Sequence, residues 1–325
     1  MRRAVVAAAA AAIVAPAFAG CGHGGKKAFV DLVRLKAVPP TGHTVTAHDL
    51  DRSVDVIRGR LDKLGLDDAE VAKRGGNVIV VRVPPSTVQR VRAAVVSVIR
   101  RTGLLEFYDF EAHLAGPSVR GASHAPVATP SIEALLSDPA TRALAKTGAP
   151  SRWYVRHGRR LAVPEGTVVV ACETKIGNCL SVRAVTTSRA FYLLTTPPEM
   201  TGKDLEASAT HADVDPNTSQ PIVVVGFTQR GQRRFHEITR REARRGAALC
   251  RDARSSAGVQ RCAQHFAIVL DHEILSAPYV DFVRNPNGIP GDNGVQIVGP
   301  TLREAKRLAI ALQSGALPVR FVRLP

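Results

Sequence analysis

The stretch from His265 to Val280, HFAIVLDHEILSAPYV, restricts the fold of this chain more than any other. Phe266 to Leu270 is an apolar, β-branched run, long enough for a buried strand and too short for a helix. Asp271-His272 interrupts it. Glu273 to Ala277 then alternates polar and apolar residues before Pro278, which lacks the amide that a central strand needs. The expectation is a β-hairpin whose first strand is inner and whose second lies near an edge. Past Gly299, the run PTLREAKRLAIALQSGALPV marks a helix. Thr301 and Glu304 have the spacing of a capping box, in which each side chain satisfies a first-turn backbone N–H. Leu302, Ala305, Leu308, Ala309 and Leu312 recur at helical spacing, Gly315 supplies a left-handed end and Pro318 blocks continuation.

The rest of the chain divides around this block. Residues 28–110 alternate strand and helix signals. Ala28 to Ala37 reads as a strand, and Thr46 caps a helix with Leu50, Val54, Ile57, Leu61 and Leu64 on one stripe, ended by Gly65. Ala69 to Lys73 and Asn77 to Val83 are strands. Pro84-Pro85 breaks the chain, Ser86 and Gln89 offer a second capping box, and a helix follows with Val88, Val91, Val95, Val98 and Ile99 inward. Gly103 stops it before a strand from Leu104 to Phe110. The order βαββαβ makes a ferredoxin-like sandwich of one sheet and two helices. Residues 111–200 are an irregular, β-rich insert. In it, Ser131 to Lys146 reads as a helix, Trp153 to Val163 as a hairpin turning at His157-Gly158, Thr167 to Cys172 with Cys179 to Val185 as a second hairpin, and Phe191 to Thr196 as a strand. Residues 201–325 return to α/β alternation, with a strand from Pro221, a helix from Gly231 to Arg245, the hairpin, a strand at Val295 to Val298, the capped helix and a last strand near Val319 to Val322. The class is α+β, a ferredoxin-like lobe and a second α/β lobe separated by the insert.

The words LD-x-x-I-L-SAP-x-V, carrying Asp271, Ser276, Ala277 and Pro278, and I-x-G-x-T-x-x-EA followed by SGALP, carrying Gly299, Glu304, Ala305, Ser314, Gly315, Leu317 and Pro318, resemble the large periplasmic domain of SecD, the accessory subunit of the bacterial protein-export translocase. Upstream, FTQRGQRRFHEITR resembles that family's F-x-x-x-G-x-x-x-F-x-x-x-T word through Phe227, Gly231, Phe235 and Thr239. The order and rough spacing agree from Gly202 onward. The resemblance implies a head-like lobe at 201–325 and a base-type lobe at 28–110. It also implies work beside the export channel on exported or unfolded polypeptide, with the Sec translocase as partner. The proton-driven membrane helices of that family have no counterpart in these residues.

The first residues read as a targeting segment. Arg2 and Arg3 precede an Ala/Val-rich run from Ala4 to Ala19, shorter than the ~20 residues of a spanning helix. It ends in Phe18-Ala19-Gly20-Cys21, which looks like a bacterial lipobox with Phe in place of the usual Leu. The expectation is a signal peptide at 1–20, lipid attachment at Cys21, a tether at 21–27, and an extracytoplasmic protein anchored to the bacterial cell membrane. Cys172 with Cys179 and Cys250 with Cys262 form two local pairs. In an oxidising compartment they read as disulfides, since neither spacing is the C-x-x-C of zinc or redox motifs.

Lys and Arg number 44 against 28 Asp and Glu, a formal charge of +16, of which only Arg2 and Arg3 would leave with the leader. An exported chain with few aromatics meets little nucleic acid, so anionic headgroups and acidic polypeptide are the expected neighbours. The arginines of 231–245 read as a solvated helix face, with contact to lipid headgroups as the alternative. No catalytic set is present. His236-Glu237 and His272-Glu273 are not followed by the second His of H-E-x-x-H, and no G-x-S-x-G occurs. Asp271 reads as a turn residue and Ser276 as a small packing residue. The expected function is therefore that of a non-enzymatic, lipid-anchored, SecD-like polypeptide-binding protein, accessory to export and without its own motor. No cofactor, metal or small-molecule substrate is expected. The alternative is an envelope structural or regulatory module docking on a folded partner.

Overall fold

A computed structural model describes residues 28–39, 44–115, 119–120, 126–127, 153–156, 159–162, 166–173, 189–253, 255–299 and 301–325. The N-terminal part runs through β1 (Val30–Val38), α1 (Ala47–Asp62), β2 (Glu70–Arg74), β3 (Val78–Val83), α2 (Val88–Ile99), β4 (Leu105–Asp109) and the short α3 (Phe110–His113). The strand pairs β5 (Val119–Arg120) with β6 (Pro126–Val127) and β7 (Trp153–Arg156) with β8 (Arg159–Ala162) follow, the latter in agreement with the hairpin expected over Trp153 to Val163. Next come β9 (Thr167–Glu173), β10 (Arg189–Thr195), β11 (Met200–Thr201), β12 (His211–Val214), β13 (Pro221–Val225), α4 (Gln229–Leu249) and α5 (Ser256–Cys262). β14 (Phe266–Leu270), β15 (Glu273–Ser276), β16 (Val295–Val298), α6 (Leu302–Gln313) and β17 (Arg320–Arg323) complete the series.

The first sheet has the order β17-β1-β3-β2, so the ferredoxin-like lobe is not closed by the strand that follows α2 in sequence. Instead β17, from the other end of the chain, pairs antiparallel with β1 from Leu35↔Arg323 to Val38↔Arg320. Leu317, Val319 and Phe321 enter the same core as Leu35, Ile57, Ile79 and Val95. The displaced strand, β4, lies in the second sheet, of order β10-β9-β15-β14-β4-β11. The expected boundary near 110 is therefore crossed twice, once by β4 leaving and once by β17 returning. Both α2 and α6 are followed by a glycine with positive φ (Gly103 at 75°, Gly315 at 77°), where the chain turns toward the neighbouring sheet.

The insert also behaves differently from expectation. β9 pairs along its whole length with β10, from Glu173↔Arg189 to Thr167↔Thr195, while the partner expected at 179–185 and the helix expected at 131–146 lie outside the described residues. β9, β10 and β11 then join the hairpin sheet. As a result β15 is interior, bonded in parallel to β9 through Glu273↔Ala171, and not near an edge. Pro278 does not prevent this, because it falls beyond the last paired residue, Ser276, and offers its carbonyl to the Phe266 amide at 2.9 Å.

Alternation along the strands builds two cores on the second sheet. On one face Leu105, Phe107, Phe266, Ile268 and Leu270 meet Phe235 and Ile238 of α4, Leu308 and Leu312 of α6, and the three-stranded sheet β12-β13-β16. On the other, Tyr108, Ala267 and Val269 meet Val168, Val170 and Tyr192. Caps fix where helices begin. Thr46 and Asp49 form a reciprocal box on α1, with bonds of 3.0 and 3.1 Å. Thr301 accepts from the Glu304 amide at 3.2 Å, but the Glu304 carboxylate takes the Thr301 hydroxyl at 3.0 Å instead of a backbone N–H. The box expected at Ser86 and Gln89 is absent. Pro85–Thr87 winds a 3-10 turn into α2 with no side-chain cap, and the Thr87 hydroxyl donates to the Pro84 carbonyl at 2.7 Å.

Because β17 completes the first core, Phe321→Ala is expected to destabilise the lobe formed by β1, β2, β3, α1 and α2 by ~3 kcal/mol. Hydrogen exchange at the β1 and β3 amides checks this; unchanged protection there would show that β17 is dispensable.

Candidate functional site

The residues of the sequence words are nearly all inside the second lobe, where they pack. Phe227 and Phe235 form an aromatic cluster with Phe107 and Phe266, with ring centroids 5.0–5.8 Å apart. Gly231 is required by close approach, since a Cβ there would lie 2.3 Å from the Asp204 carbonyl oxygen. The Thr239 hydroxyl donates to the Phe235 carbonyl at 3.0 Å and accepts from the Ile289 amide at 2.9 Å, tying α4 to the loop before β16. Gly299 and Ala305 face each other so closely that a Cβ on Gly299 would lie 3.3 Å from the Ala305 Cβ, and Ala277 packs on the second core face. Ser314 donates to the Ile310 carbonyl at 2.8 Å, and Leu317 leads into β17, with Pro318 ending the helical path. These words encode architecture.

Cysteines staple two places. Cys250 and Cys262 are bonded, joining the end of α4 to α5. Cys172 on β9 is disulfide-bonded and fully buried, and Cys179 and Cys21 lie outside the described residues.

The hairpin tip keeps a two-residue turn with positive φ at both positions, 50° at Asp271 and 65° at His272. Asp271 does more than turn. Its Oδ1 accepts from the Thr102 hydroxyl at 2.6 Å and from the Leu104 amide at 3.0 Å, clamping the exit from α2. Beside it lies a residue that the sequence patterns do not single out. Arg60 of α1 is fully buried, and its guanidinium donates to the carbonyls of Val98 (3.0 Å), Arg101 (2.5 Å), Thr102 (3.1 Å) and Gly315 (2.9 Å). Burial pulls its pKa down to about 10, with the Asp271 charge opposing. The available signal is position: Arg60 is three residues from Ile57 and four from Leu64, within the apolar stripe.

A second polar node sits where α4 crosses the sheet. Arg245 bonds Asp109, and its Nε donates to Gln264 Oε1 at 3.2 Å. Glu111 accepts from the His265 amide at 2.8 Å and lies 2.6 Å from the His265 ring. Between them Glu242 is fully buried, with no hydrogen-bond partner for either carboxyl oxygen among the described residues. Burial, then the charges of Asp109 and Glu111, push its carboxyl well above the usual range, against Arg245 and Arg241. The arginines of α4 are mostly engaged: Arg230 and Arg234 on buried Asp204, Arg241 on Glu199, Arg240 on Glu237. The solvated-face reading of this helix fits that pairing better than a free basic patch. Among the exposed apolar side chains, several lie on or beside the three-stranded sheet. Its outer strands β12 and β16 each pair on one side only, with Val214 (42%) and Val298 (55%) exposed and Leu302 beside the latter.

Two measurements probe these nodes. His272→Gly is expected to stabilise the protein by up to about 1 kcal/mol, because an L-residue at positive φ is strained and glycine is not; a loss above about 1 kcal/mol on chemical denaturation would mean that imidazole packing outweighs the strain. Glu242 starts from an ordinary 4.5 when unfolded and is raised on folding. Its contribution to stability is complete below the unfolded value and is lost as pH rises toward the folded one. Glu106, pushed up to about 7 by burial, adds the same trend. Glu242→Gln should therefore gain on the wild type between pH 5 and pH 8, and equal stability differences at the two values would contradict it.

Comparison with known proteins gives the same order of parts. Residues 50–112 match the family described as protein translocase subunit SecDF, P1 domain, N-terminal, and residues 179–319 match the SecDF P1 head subdomain. SecD of Acidaminococcus fermentans is 34% identical over 123 residues, covering 38% of this chain and 23% of the relative. SecD of Rickettsia felis is 22% identical over 273 residues, 83% of this chain and 37% of the relative. The chain thus spans well under two thirds of these relatives. A solved structure of a membrane component SecDF that enhances protein export superposes with a TM-score of 0.50 at 20% identity, covering 90% of this chain and 97% of that one, which establishes a shared fold. Together the matches support a SecD-type periplasmic domain in this chain, its N-terminal part preceding its head.

Proposed function

We propose that this protein is an extracytoplasmic, lipid-anchored accessory of Sec-dependent export that binds extended polypeptide. The observation that carries the reading is the order of the two P1 matches, within one fold shared over 90% of the chain. Relatives named as translocase subunits favour a binding role over catalysis and the Sec translocase as partner. Among the described residues no helix is long and apolar enough to cross a membrane. The lipobox-like Phe18-Ala19-Gly20-Cys21 supplies the attachment in this reading. The edge of β16, with Val298 and Leu302 beside it, suits an added strand: backbone bonds give affinity without sequence preference, which a client-tolerant binder needs. The arrangement of a base-type lobe at 28–110, insert at 111–200 and head-like lobe at 201–325 is part of the same reading, with β17 returned to the first lobe.

Photocrosslinkers placed in cells at Val298 and, as control, at exposed Arg52 of α1 test it. Exported polypeptides should be captured from Val298 and not from Arg52. A single folded envelope protein captured from Val298, with no exported chains, would favour the docking-module alternative. Mass spectrometry of the mature N-terminus should find acylated Cys21, and any other first residue removes the anchor.

A further inference from the structure

The first sheet buries one face under α1 and α2, and its other face carries mainly exposed charged side chains around the buried Val80. Register arranges the second face in rows. Lys36 stands between Val322 and Val78, with Arg74 beyond, and Arg320 is level with Val38. Farther along, Arg82 stands between Asp31 and Glu70. The acids there are consumed locally, with Asp31 on Arg34 at 3.4 Å and Arg82 at 3.6 Å, and Glu70 on Arg82 at 3.0 Å. Lys36, Arg74 and Arg320 are exposed and make no ion pair among the described residues. The surface thus carries cations without an ion pair among the described residues, concentrated at one end beside the half-buried Val38, Val78 and Val322.

We infer that this face lies on the anionic headgroups of the membrane that holds Cys21, an inference that rests on the lipid-anchor reading above. Charge complementarity selects the occupant, and the sequence sets the geometry. Nine residues separate Cys21 from Val30, a reach of ~30 Å when extended. Lys36 is six residues along β1 from Val30, ~20 Å, so the anchored tether allows the whole face to touch the surface. Headgroup attraction fades within ~10 Å, so only a face held this close gains from it. The α4 arginines, the other basic candidate, are largely neutralised by Asp204, Glu199, Glu237 and Asp109.

The test uses residues 22–325, which retain every described element and lack the acylated cysteine, with vesicles of phosphatidylglycerol or of phosphatidylcholine alone. Binding is expected to the anionic vesicles only, and to weaken with salt. Each basic residue near such a surface contributes about fivefold in affinity, so Lys36→Gln/Arg74→Gln/Arg320→Gln should weaken binding by ~100-fold. Arg233→Gln/Arg244→Gln, the cations of α4 without an ion pair among the described residues, should bind as the wild type does. If the triple variant fails to fold by circular dichroism, the single variants Lys36→Gln and Arg74→Gln should each show about a fivefold loss. Equal binding to both vesicles, no binding to either, an unchanged triple variant, or an equal loss in the α4 variant would each overturn the inference. So would binding of a soluble acidic polypeptide, polyglutamate, in preference to anionic vesicles. Mass spectrometry of the N-terminus reads the anchor separately, so either idea can fail alone.

Discussion

A single guanidinium joins the parts of this molecule. Arg60 sits on α1, the carbonyls it serves at 98, 101 and 102 belong to the last turn of α2 and the residues just after it, and Gly315 follows the end of α6. Each helix ends with unsatisfied carbonyl groups and a partial negative charge. Arg60 answers both ends at once through backbone carbonyls, with the Asp271 carboxylate close enough to favour its charge. Gly103 shows how tightly the space is filled, since a Cβ there would come within 2.8 Å of the guanidinium and 3.3 Å of the Ala311 carbonyl oxygen. Gly103 therefore also makes room for the group that caps the helix before it, and the exchange of strands between the sheets starts at this point.

The polar groups of the second lobe have a comparable place. Asp204 receives the start of α4 through Arg230 and the Thr228 amide, while Asp109 and Glu111 receive its far half and the entry to β14. α4 is long and rich in arginine, yet its charge is spent on seating it. The unpartnered Glu242 carboxyl lies under the same helix, where neutrality is the cheaper state. Such groups locate a helix on a sheet more exactly than apolar packing alone, which is indifferent to small slides.

Sequence signals are legible here where they depend on neighbours along the chain. The hairpin with its tip at Asp271-His272, the Thr46 and Thr301 starts and the glycine stops at 65, 103 and 315 need only turn and cap chemistry. Partner choice is not local. Leu104 to Phe110 and Val319 to Val322 are both short apolar strands after a glycine-stopped helix, and nothing within either says which sheet it joins. The inner position of β15 depends on β9, a strand from a segment whose composition carries little periodicity. Arg60 is hidden because charge on a helix usually marks the wet side, and Ser86 misleads because its spacing to Gln89 suits a box that the two preceding prolines replace with a tighter turn. The candidate site is legible as a family of words, but those words report packing; the exposed strand edge at Val298 and the outer face around Lys36 become visible only once register is known.

The pairing of β1 with β17 bears on how such a chain matures. A polypeptide threaded through a channel arrives N-terminus first. Its leading lobe would then wait, with β1 presenting an open edge and the core lacking Leu317, Val319 and Phe321, until β17 has crossed as well. Early segments can collapse, but they cannot lock. Delivery and final folding are thereby placed in sequence, with a late strand completing an early core.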